Sequence, residues 1–186
     1  MSRVDWTDEL GTPGQFALWA ANCRRSLRGK AGQRALRELE AALLALPVKE
    51  LAQRAVALDG QVCAVGAVLA ARKANSDGIT VEEAIDLLAQ EMGSKETQAD
   101  IETVEMGEAL GMPHLVAWSV VWENDEGAPA GEYILVEGPA RQHEQIQPWA
   151  DPRGVQQWQP LGADKRYAWM LAWVRHHLQK EACDEA

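Results

Sequence analysis

Residues 30–46 read KAGQRALRELEAALLAL, and this stretch sets the class of the fold. Leucines stand in it at helical spacing: Leu36, Leu39, Leu43 and Leu44. Apolar residues three and four positions apart share one face of a helix, which can then be buried. Pro47 ends the pattern, because proline cannot continue the hydrogen bonding of a helix. The stretch therefore predicts a helix from about Lys30 to Leu46 with one leucine-rich face in a core.

Helical patterns continue on both sides of this stretch. The predicted helices cover residues 13–27, 61–74, 80–92, 97–110, 112–124 and 163–182. Thr80 and Glu83 form a capping box, in which each side chain binds the backbone N–H of the other residue. Residues 61–74 also allow a buried strand, but their alanine content favours a buried helix. Residues 48–58 leave two alternatives, one helical turn or a short extended piece.

The segment 128–160 differs from the rest of the chain. It is rich in proline and glutamine and has no helical pattern. Glu132 to Val136 and Val155 to Gln159 have the residue types and alternation of strands. The sequence therefore predicts a mainly α protein, a single helical domain over residues 1–186 with about six to seven helices. Residues 128–160 would form a small two-stranded β insertion or flap.

The length and composition of the chain exclude several classes of protein. The chain has 186 residues, which is enough to bury a core without disulfides or a metal. Its formal charge is -10, from 28 acidic and 18 basic residues, and this argues against a general binder of nucleic acid or anionic membranes. Three scattered cysteines do not make a disulfide framework. No apolar run reaches the roughly 20 residues that span a bilayer. We expect a protein of the cytoplasm.

The charge is divided unevenly along the sequence. Between Asp77 and Gly127 thirteen acidic residues oppose one lysine, a net charge of -12. The remaining residues carry +2, because 17 basic residues there oppose 15 acidic ones. No acidic residue occurs from residue 10 to residue 37, where a basic cluster stands: Arg24, Arg25, Arg28, Lys30, Arg34 and Arg37. A protein with such separated charges can steer a charged partner, or simply present solvated helices.

Known catalytic and metal-binding patterns are missing from the sequence. The four histidines lack the spacing of a zinc site, so we expect no metal and no cofactor. Cys63 has no obvious base beside it and is expected to be a buried structural thiol. Asn124, Asp125 and Glu126 offer acid–base groups, but polar residues before a glycine are more typical of a helix cap. We therefore expect a protein that is not an enzyme, with no catalytic residues.

Tryptophan is the dominant aromatic residue, with eight of the eleven aromatic side chains. Trp118 and Trp122 share one helical face, and such pairs usually fill a core. Trp149 and Trp158 lie in the 128–160 segment, where no core is evident. Tryptophan is favoured at the centres of protein interfaces, so these two are candidate partner contacts.

Several motifs together resemble a known group. The first motif begins at Cys23 with CRRSLRGKAGQRALRELEAAL and continues to Pro47. The others are GQVCAVGAV from Gly60, NDEG from Asn124, and a final helix with Ala168-Trp169 and Ala172-Trp173-Val174. In this order they resemble a group of small bacteriophage and prophage proteins. The resemblance covers about two thirds of the chain and stops at residues 128–160, where this sequence has its insertion. It implies a phage-encoded protein that acts in the host cytoplasm.

Three hypotheses about function follow. The first is a phage or prophage interaction protein that inhibits a host machine, most sharply an anti-CRISPR or other anti-defence inhibitor that binds a host protein or a protein–nucleic-acid complex. Its contacts would come from the basic cluster, from Trp149 and Trp158, or from acidic helices that mimic DNA phosphates: Glu83, Asp86, Glu105 and Glu108. The second is a nucleic-acid-binding accessory protein that uses the basic residues 24–37. The third is an enzyme with acidic groups at residues 124–126.

Overall fold

The chain is mainly helical, as the sequence predicts. A computed structural model describes residues 13–53, 55–92, 99–127, 132–137, 154–159 and 162–178. Within these residues there are seven α-helices: α1 (Pro13–Arg28), α2 (Lys30–Ala45), α3 (Ala64–Asp77), α4 (Val81–Met92), α5 (Ala99–Ala109), α6 (His114–Trp122) and α7 (Ala163–His177). A π-helical turn, Glu123–Gly127, follows α6 directly.

Helix α3 lies at the centre of the fold. It packs against α2 on one side and α4 on another, and it also contacts α5 and α6. Its small residues make this possible, since most of its first two turns is buried: Ala64, Val65, Gly66, Ala67, Val68 and Ala70. A β-carbon at Gly66 would collide with the carbonyl oxygen of Val56, so this position requires glycine. Close approach of backbones around α3 therefore depends on its lack of large side chains.

The leucine stripe of α2 faces this core. Leu36, Leu39 and Leu43 are completely buried. Leu44 is 48% exposed and lies off the stripe, so its inclusion in the predicted face was wrong. Burial of a leucine side chain is worth about 1.5 to 3 kcal/mol, which makes these three residues a major source of stability.

A short hairpin precedes α3 and corrects one predicted boundary. Strands β1 (Ala57–Leu58) and β2 (Gln61–Val62) pair antiparallel, with Leu58 opposite Gln61. Asp59 and Gly60 connect them with φ angles of 50° and 77°, the left-handed pair that a tight hairpin requires. The prediction of helix from residue 61 was therefore wrong by three residues, because this turn commits Gln61 and Val62 to a strand. For residues 48–58, the extended alternative is the correct one at Ala57 and Leu58.

Helix ends largely follow their sequence signals. The Thr80–Glu83 capping box is confirmed: Thr80 N donates to Glu83 Oε2 at 2.8 Å, and Glu83 N donates to Thr80 Oγ1 at 3.2 Å. Gly111, with φ of 82°, follows α5, close to the predicted end of that helix at residue 110. Helix α7 ends at His177 rather than near residue 182, and Leu178 is its C-cap. Two residues that flank predicted helices, Thr12 before residues 13–27 and Gly93 after residues 80–92, lie outside the described residues.

The predicted two-stranded element is present. Strand β3 (Glu132–Glu137) pairs antiparallel with β4 (Gly154–Gln159), and Glu132 stands opposite Gln159 at one end of the ladder. This register brings Tyr133 opposite Trp158. Among the described helices, none has the length and apolar character needed to cross a membrane.

Candidate functional site

The predicted basic cluster forms one exposed region at the junction of α1 and α2. Arg24, Arg25 and Arg28 occupy the last turns of α1, and all three are exposed. Lys30, Arg34 and Arg37 follow on α2 and are exposed as well. We call these six residues the basic face. Gly32 permits the tight junction, because a β-carbon there would collide with the carbonyl oxygen of Ser26.

Three exposed or half-buried cations elsewhere in the described chain are bound to carboxylates. Arg72 Nε lies 2.6 Å from Glu38 Oε1, and Arg175 Nε lies 2.8 Å from Glu40 Oε1. Lys73 Nζ lies 3.4 Å from both Asp77 and Glu91.

The basic face is different. Within the described part of the chain, no carboxylate forms an ion pair with Arg24, Arg25, Arg28, Lys30 or Arg34. The two acidic residues of α2, Glu38 and Glu40, are already engaged by arginines from α3 and α7. The hydrogen bond from Arg72 also holds the pKa of Glu38 below its usual value. No ion pair with α1 or α2 therefore neutralises Arg24, Arg25, Arg28, Lys30 or Arg34 within the described residues.

A buried glutamine fixes the basic face to the end of α7. Gln33 is only 4% exposed, and its Nε2 donates hydrogen bonds to the carbonyl oxygens of Leu27 at 2.8 Å and His177 at 3.0 Å. These are carbonyls of the last turns of α1 and α7, which lack a partner within their own helices. One side chain on α2 thus holds the ends of two other helices together.

The last turn of α7 brings three rings to this junction. The Trp173 and His177 ring centroids are 4.7 Å apart, and those of His176 and His177 are 5.1 Å apart, both pairs edge to face. Burial lowers the pKa of His177, and positive charge on His176 and Arg28 lowers it further. The sequence does not connect these rings with the basic cluster, because 144 residues separate Gln33 from His177.

The predicted acidic residues lie on α4 and α5. All four are exposed: Glu83, Asp86, Glu105 and Glu108. Helix α3 packs against both α2 and α4, whereas the described parts of α2 and α4 share no extensive contact. The end of α5 lies close to α2, because Arg72 of α3 donates to Glu38 on α2 and to the carbonyl oxygen of Leu110 just after α5.

Two of the four acidic residues have structural partners. Glu83 caps α4, and the hydrogen bonds from Thr80 lower the pKa of its carboxyl group. Glu108 Oε1 lies 2.9 Å from His114 Nδ1, and Trp118 Nε1 donates to His114 Nε2 at 2.9 Å. Since indole nitrogen only donates, His114 carries its proton on Nδ1 and donates it to Glu108. Within the described residues, Asp86 and Glu105 have no such hydrogen-bond partner.

Asn124 and Asp125, two candidate acid–base residues of the enzyme hypothesis, take part in structural hydrogen bonds. Asn124 is 2% exposed, and its Oδ1 accepts a hydrogen bond from Ala64 N at 3.1 Å. Its Nδ2 donates to the carbonyl oxygen of Ala52 at 3.0 Å and to Asp125 Oδ1 at 2.8 Å. The side chain thereby joins the π-helical turn to the first turn of α3 and to the segment before the hairpin. The side chain of Glu126 lies outside the described residues.

Arg166 completes this polar cluster and was not singled out from the sequence. It is 6% exposed, and it donates from one terminal nitrogen to the carbonyl oxygen of Leu51 at 2.9 Å and from the other to Gln53 Oε1 at 3.0 Å. Burial lowers its pKa, and the charge of Asp125 opposes that effect. The sequence signal that could have identified Arg166 is its helical spacing with Tyr167, Met170 and Val174, which lie on the buried side of α7.

Cys63 is a structural thiol. It is buried at the N-cap position of α3, where its Sγ accepts a hydrogen bond from Gly66 N at 3.4 Å. Burial, together with the negative charge of Asp125, raises its pKa to about 12. The thiol is therefore neutral at ordinary pH, and the reactive form of a cysteine nucleophile is the thiolate.

The tryptophans divide among several roles. Trp118 is half-buried and bonded to His114, whereas Trp169 is 40% exposed and donates to Glu123 Oε2 at 3.2 Å. Of the two candidate contacts, Trp149 lies outside the described residues. Trp158 lies on β4, and its side chain is also outside them. Their proposed role stays a prediction.

Among the described residues, no group of three His, Cys, Asp or Glu side chains is placed to hold a metal ion. No protein-family model, curated protein or solved structure matches the chain.

Proposed function

We propose that this chain is an interaction protein that binds a macromolecular partner through the basic face of α1 and α2. The observation that carries the proposal is the contrast between paired and unpaired cations. Arg72, Arg175 and Lys73 are bound to carboxylates of the fold, whereas Arg24, Arg25, Arg28 and Arg34 form no ion pair within the described residues.

Like charges grouped on one surface repel each other and lower stability slightly. An anionic partner relieves this repulsion and is drawn toward the surface before contact. The net charge of -10 does not prevent this, because residues 77–127 carry a net charge of -12 and the rest of the chain carries +2. Salt screens exposed charges beyond about 8 to 10 Å, so a partner at the basic face responds mainly to the local charge.

The finer proposal concerns the biological setting. The resemblance to bacteriophage and prophage proteins supports a role as an inhibitor of a host machine, with an anti-CRISPR or other anti-defence protein as its sharpest form. Binding is favoured over catalysis because Asn124 and Asp125, the candidate acid–base groups, take part in structural hydrogen bonds. The partner would be a host protein or a protein–nucleic-acid complex. Direct nucleic-acid binding by the basic face alone is the alternative.

The experiment is affinity capture from host lysate with the full chain and two charge variants. The first variant replaces Arg24, Arg25, Arg28 and Arg34 by Glu, and we expect it to lose the partner. The matched control, Asp86→Lys with Glu105→Lys, reverses exposed acidic residues on the other surface and should retain it. Circular dichroism must show that both variants keep the helical fold.

Two outcomes would contradict this proposal. If the wild-type protein captures no partner at low or moderate salt, the protein does not act as proposed. If the arginine variant captures the partner as well as wild type does, the basic face is not the contact. Loss of the partner in the Asp86 and Glu105 variant instead would favour mimicry of DNA phosphates by α4 and α5.

A further inference from the structure

We infer that the basic face continues onto the last turn of α7, and that the joined surface binds a single-stranded segment of nucleic acid. The inference rests on the proposed function, because it takes the basic face to be a contact surface. It adds the class of partner, a nucleic-acid strand, and a second set of contact residues: Trp173, His176 and His177.

The junction between the two parts is set by hydrogen bonds. Gln33 Nε2 donates both to Leu27 O on α1 and to His177 O on α7. The next residue after Leu27 is Arg28, whose charge acts directly on the His177 imidazole. The last turn of α7 therefore lies beside Arg28 at the end of α1.

This surface combines the two groups that single strands require. Proteins that bind single strands pair a cationic track for the phosphates with aromatic rings on which bases stack. The arginines supply the track, since a guanidinium donates two parallel hydrogen bonds to a phosphate. Arg24 and Arg28 are four residues apart on α1, as are Lys30 and Arg34 on α2, so each pair is spaced about 6 Å along its helix. The exposed ring of His176 and the half-buried ring of Trp173 stand at the end of this track.

The imidazoles give the interaction a distinctive pH dependence. The charged groups that act on His177 are His176 on the same helix and Arg28 on α1, and both oppose its protonation. From α2 its neighbour is the neutral Gln33, while Glu40 is bound to Arg175 at 2.8 Å. A phosphate beside these groups favours the protonated imidazoles. Binding should therefore take up protons and tighten as the pH falls below about 7.

The test is fluorescence anisotropy with a labelled 20-nucleotide oligothymidine and a labelled 20-base-pair duplex, using the full chain. At 50 mM NaCl we expect oligothymidine to bind with a dissociation constant on the order of 1 to 100 µM and the duplex to bind at least roughly fivefold more weakly. Replacement of Arg24, Arg28 and Arg34 by Ala should weaken oligothymidine binding at least about tenfold and flatten its salt dependence.

Variants of α7 separate stacking from general charge. Trp173→Leu should weaken binding of oligothymidine by roughly fivefold or more, with little effect on its salt dependence. His176→Gln combined with His177→Gln should abolish the tightening between pH 8 and pH 5.5. Both histidine substitutions leave the backbone carbonyl that accepts from Gln33, and thermal unfolding checks each variant for its fold.

The outcomes distinguish this inference from the proposed function. Absence of oligothymidine binding at 50 mM NaCl, or equal binding of strand and duplex, overturns the inference. If affinity capture still depends on the arginines in that case, the proposed function survives and the partner surface is an acidic protein. Failure of capture with intact oligothymidine binding would overturn the host-protein form of the proposed function and leave the inference standing.

Discussion

Gln33 donates a hydrogen bond to the backbone carbonyl of His177 at 3.0 Å, across 144 residues of sequence. The same amide nitrogen donates to Leu27 at 2.8 Å, so one buried side chain joins the ends of α1 and α7. This relationship decides where the rings of α7 lie relative to the arginines of α1. It also makes Gln33 a structural residue whose replacement has a measurable cost.

Replacement of Gln33 by Leu should lower the free energy of unfolding by about 1 to 3 kcal/mol, because two carbonyl groups lose a buried donor. Urea unfolding followed by circular dichroism measures this change. Gln90→Leu is the matched control, since Gln90 is exposed on α4 and should change stability by no more than about 0.5 kcal/mol. Equal unfolding midpoints for the Gln33 variant and wild type would contradict the proposed junction.

Asn124→Ala should be more damaging, with a loss of about 2 to 4 kcal/mol. It leaves the buried N–H of Ala64 and the carbonyl of Ala52 without their partner. Asn124→Asp keeps the acceptor but cannot donate to Ala52, and at pH 7 it adds a negative charge beside Asp125. We therefore expect it also to be strongly destabilised at neutral pH.

The control for Asn124 is Asn75→Ala, at an exposed position on α3. Its stability should be unchanged or raised by at most about 0.7 kcal/mol, because alanine has the higher helix propensity. The midpoint of urea unfolding is measured for each of the three variants and compared with that of wild type. A wild-type midpoint for Asn124→Ala would show that the side chain does not hold the π-helical turn to α3, and would reopen a catalytic role for residues 124–126.

Cys63 should be inert toward thiol reagents in the folded protein. Its pKa of about 12 leaves almost no thiolate at pH 8, and Cys23 is buried as well. In a Cys183→Ser background, a chromogenic disulfide reagent should therefore react only on the timescale of unfolding, and fully in denaturing urea. A thiol that reacts within seconds under native conditions would be the contrary result.

Protonation of His177 should make the folded protein less stable as the pH falls. Its pKa is lowered in the folded state by burial and by His176 and Arg28, so the unfolded chain binds this proton more readily. Its stabilising contribution is fully present above the unfolded value of about 6.5 and is lost as the pH falls through the folded pKa.

Urea unfolding between pH 8 and pH 5 tests the direction of this effect. His177→Gln should remove part of the decrease in stability toward low pH, and His176→Gln should reduce it less, because it removes only a neighbouring charge. A variant that lost stability more steeply than wild type as the pH fell would contradict the assignment. The measurement is independent of any partner.

Local signals in the sequence predicted most of the secondary structure. The capping box at Thr80 and Glu83 marked the start of α4. The structure has a tight turn at Asp59 and Gly60. Helix α3 was extended too far toward its N-terminus, because alanine and valine at residues 61–74 do not reveal that the turn pairs Gln61 with Leu58. The exposure of Leu44 likewise depends on which side of α2 meets α3.

The candidate site was predictable only in part. The basic residues were identified because charge is visible in the sequence and helical spacing places it on a surface. The lack of an ion pair at five of the six, Arg37 excepted, was not predictable within the described residues, since it depends on Arg72 and Arg175 from other helices engaging Glu38 and Glu40. Arg166 resembles any other arginine until the fold buries it against Leu51 and Gln53.

The sequence by itself determined the mainly helical class, most of the helix boundaries, the two-stranded element and the division of charge along the chain. These properties depend on interactions within a few residues, where propensity, capping and periodicity act. Only the tertiary structure decided that Asn124 and Asp125 stabilise the fold and that Gln33 joins α1 to α7. Those outcomes depend on hydrogen bonds and packing between residues 60 to 144 positions apart, which no local pattern records.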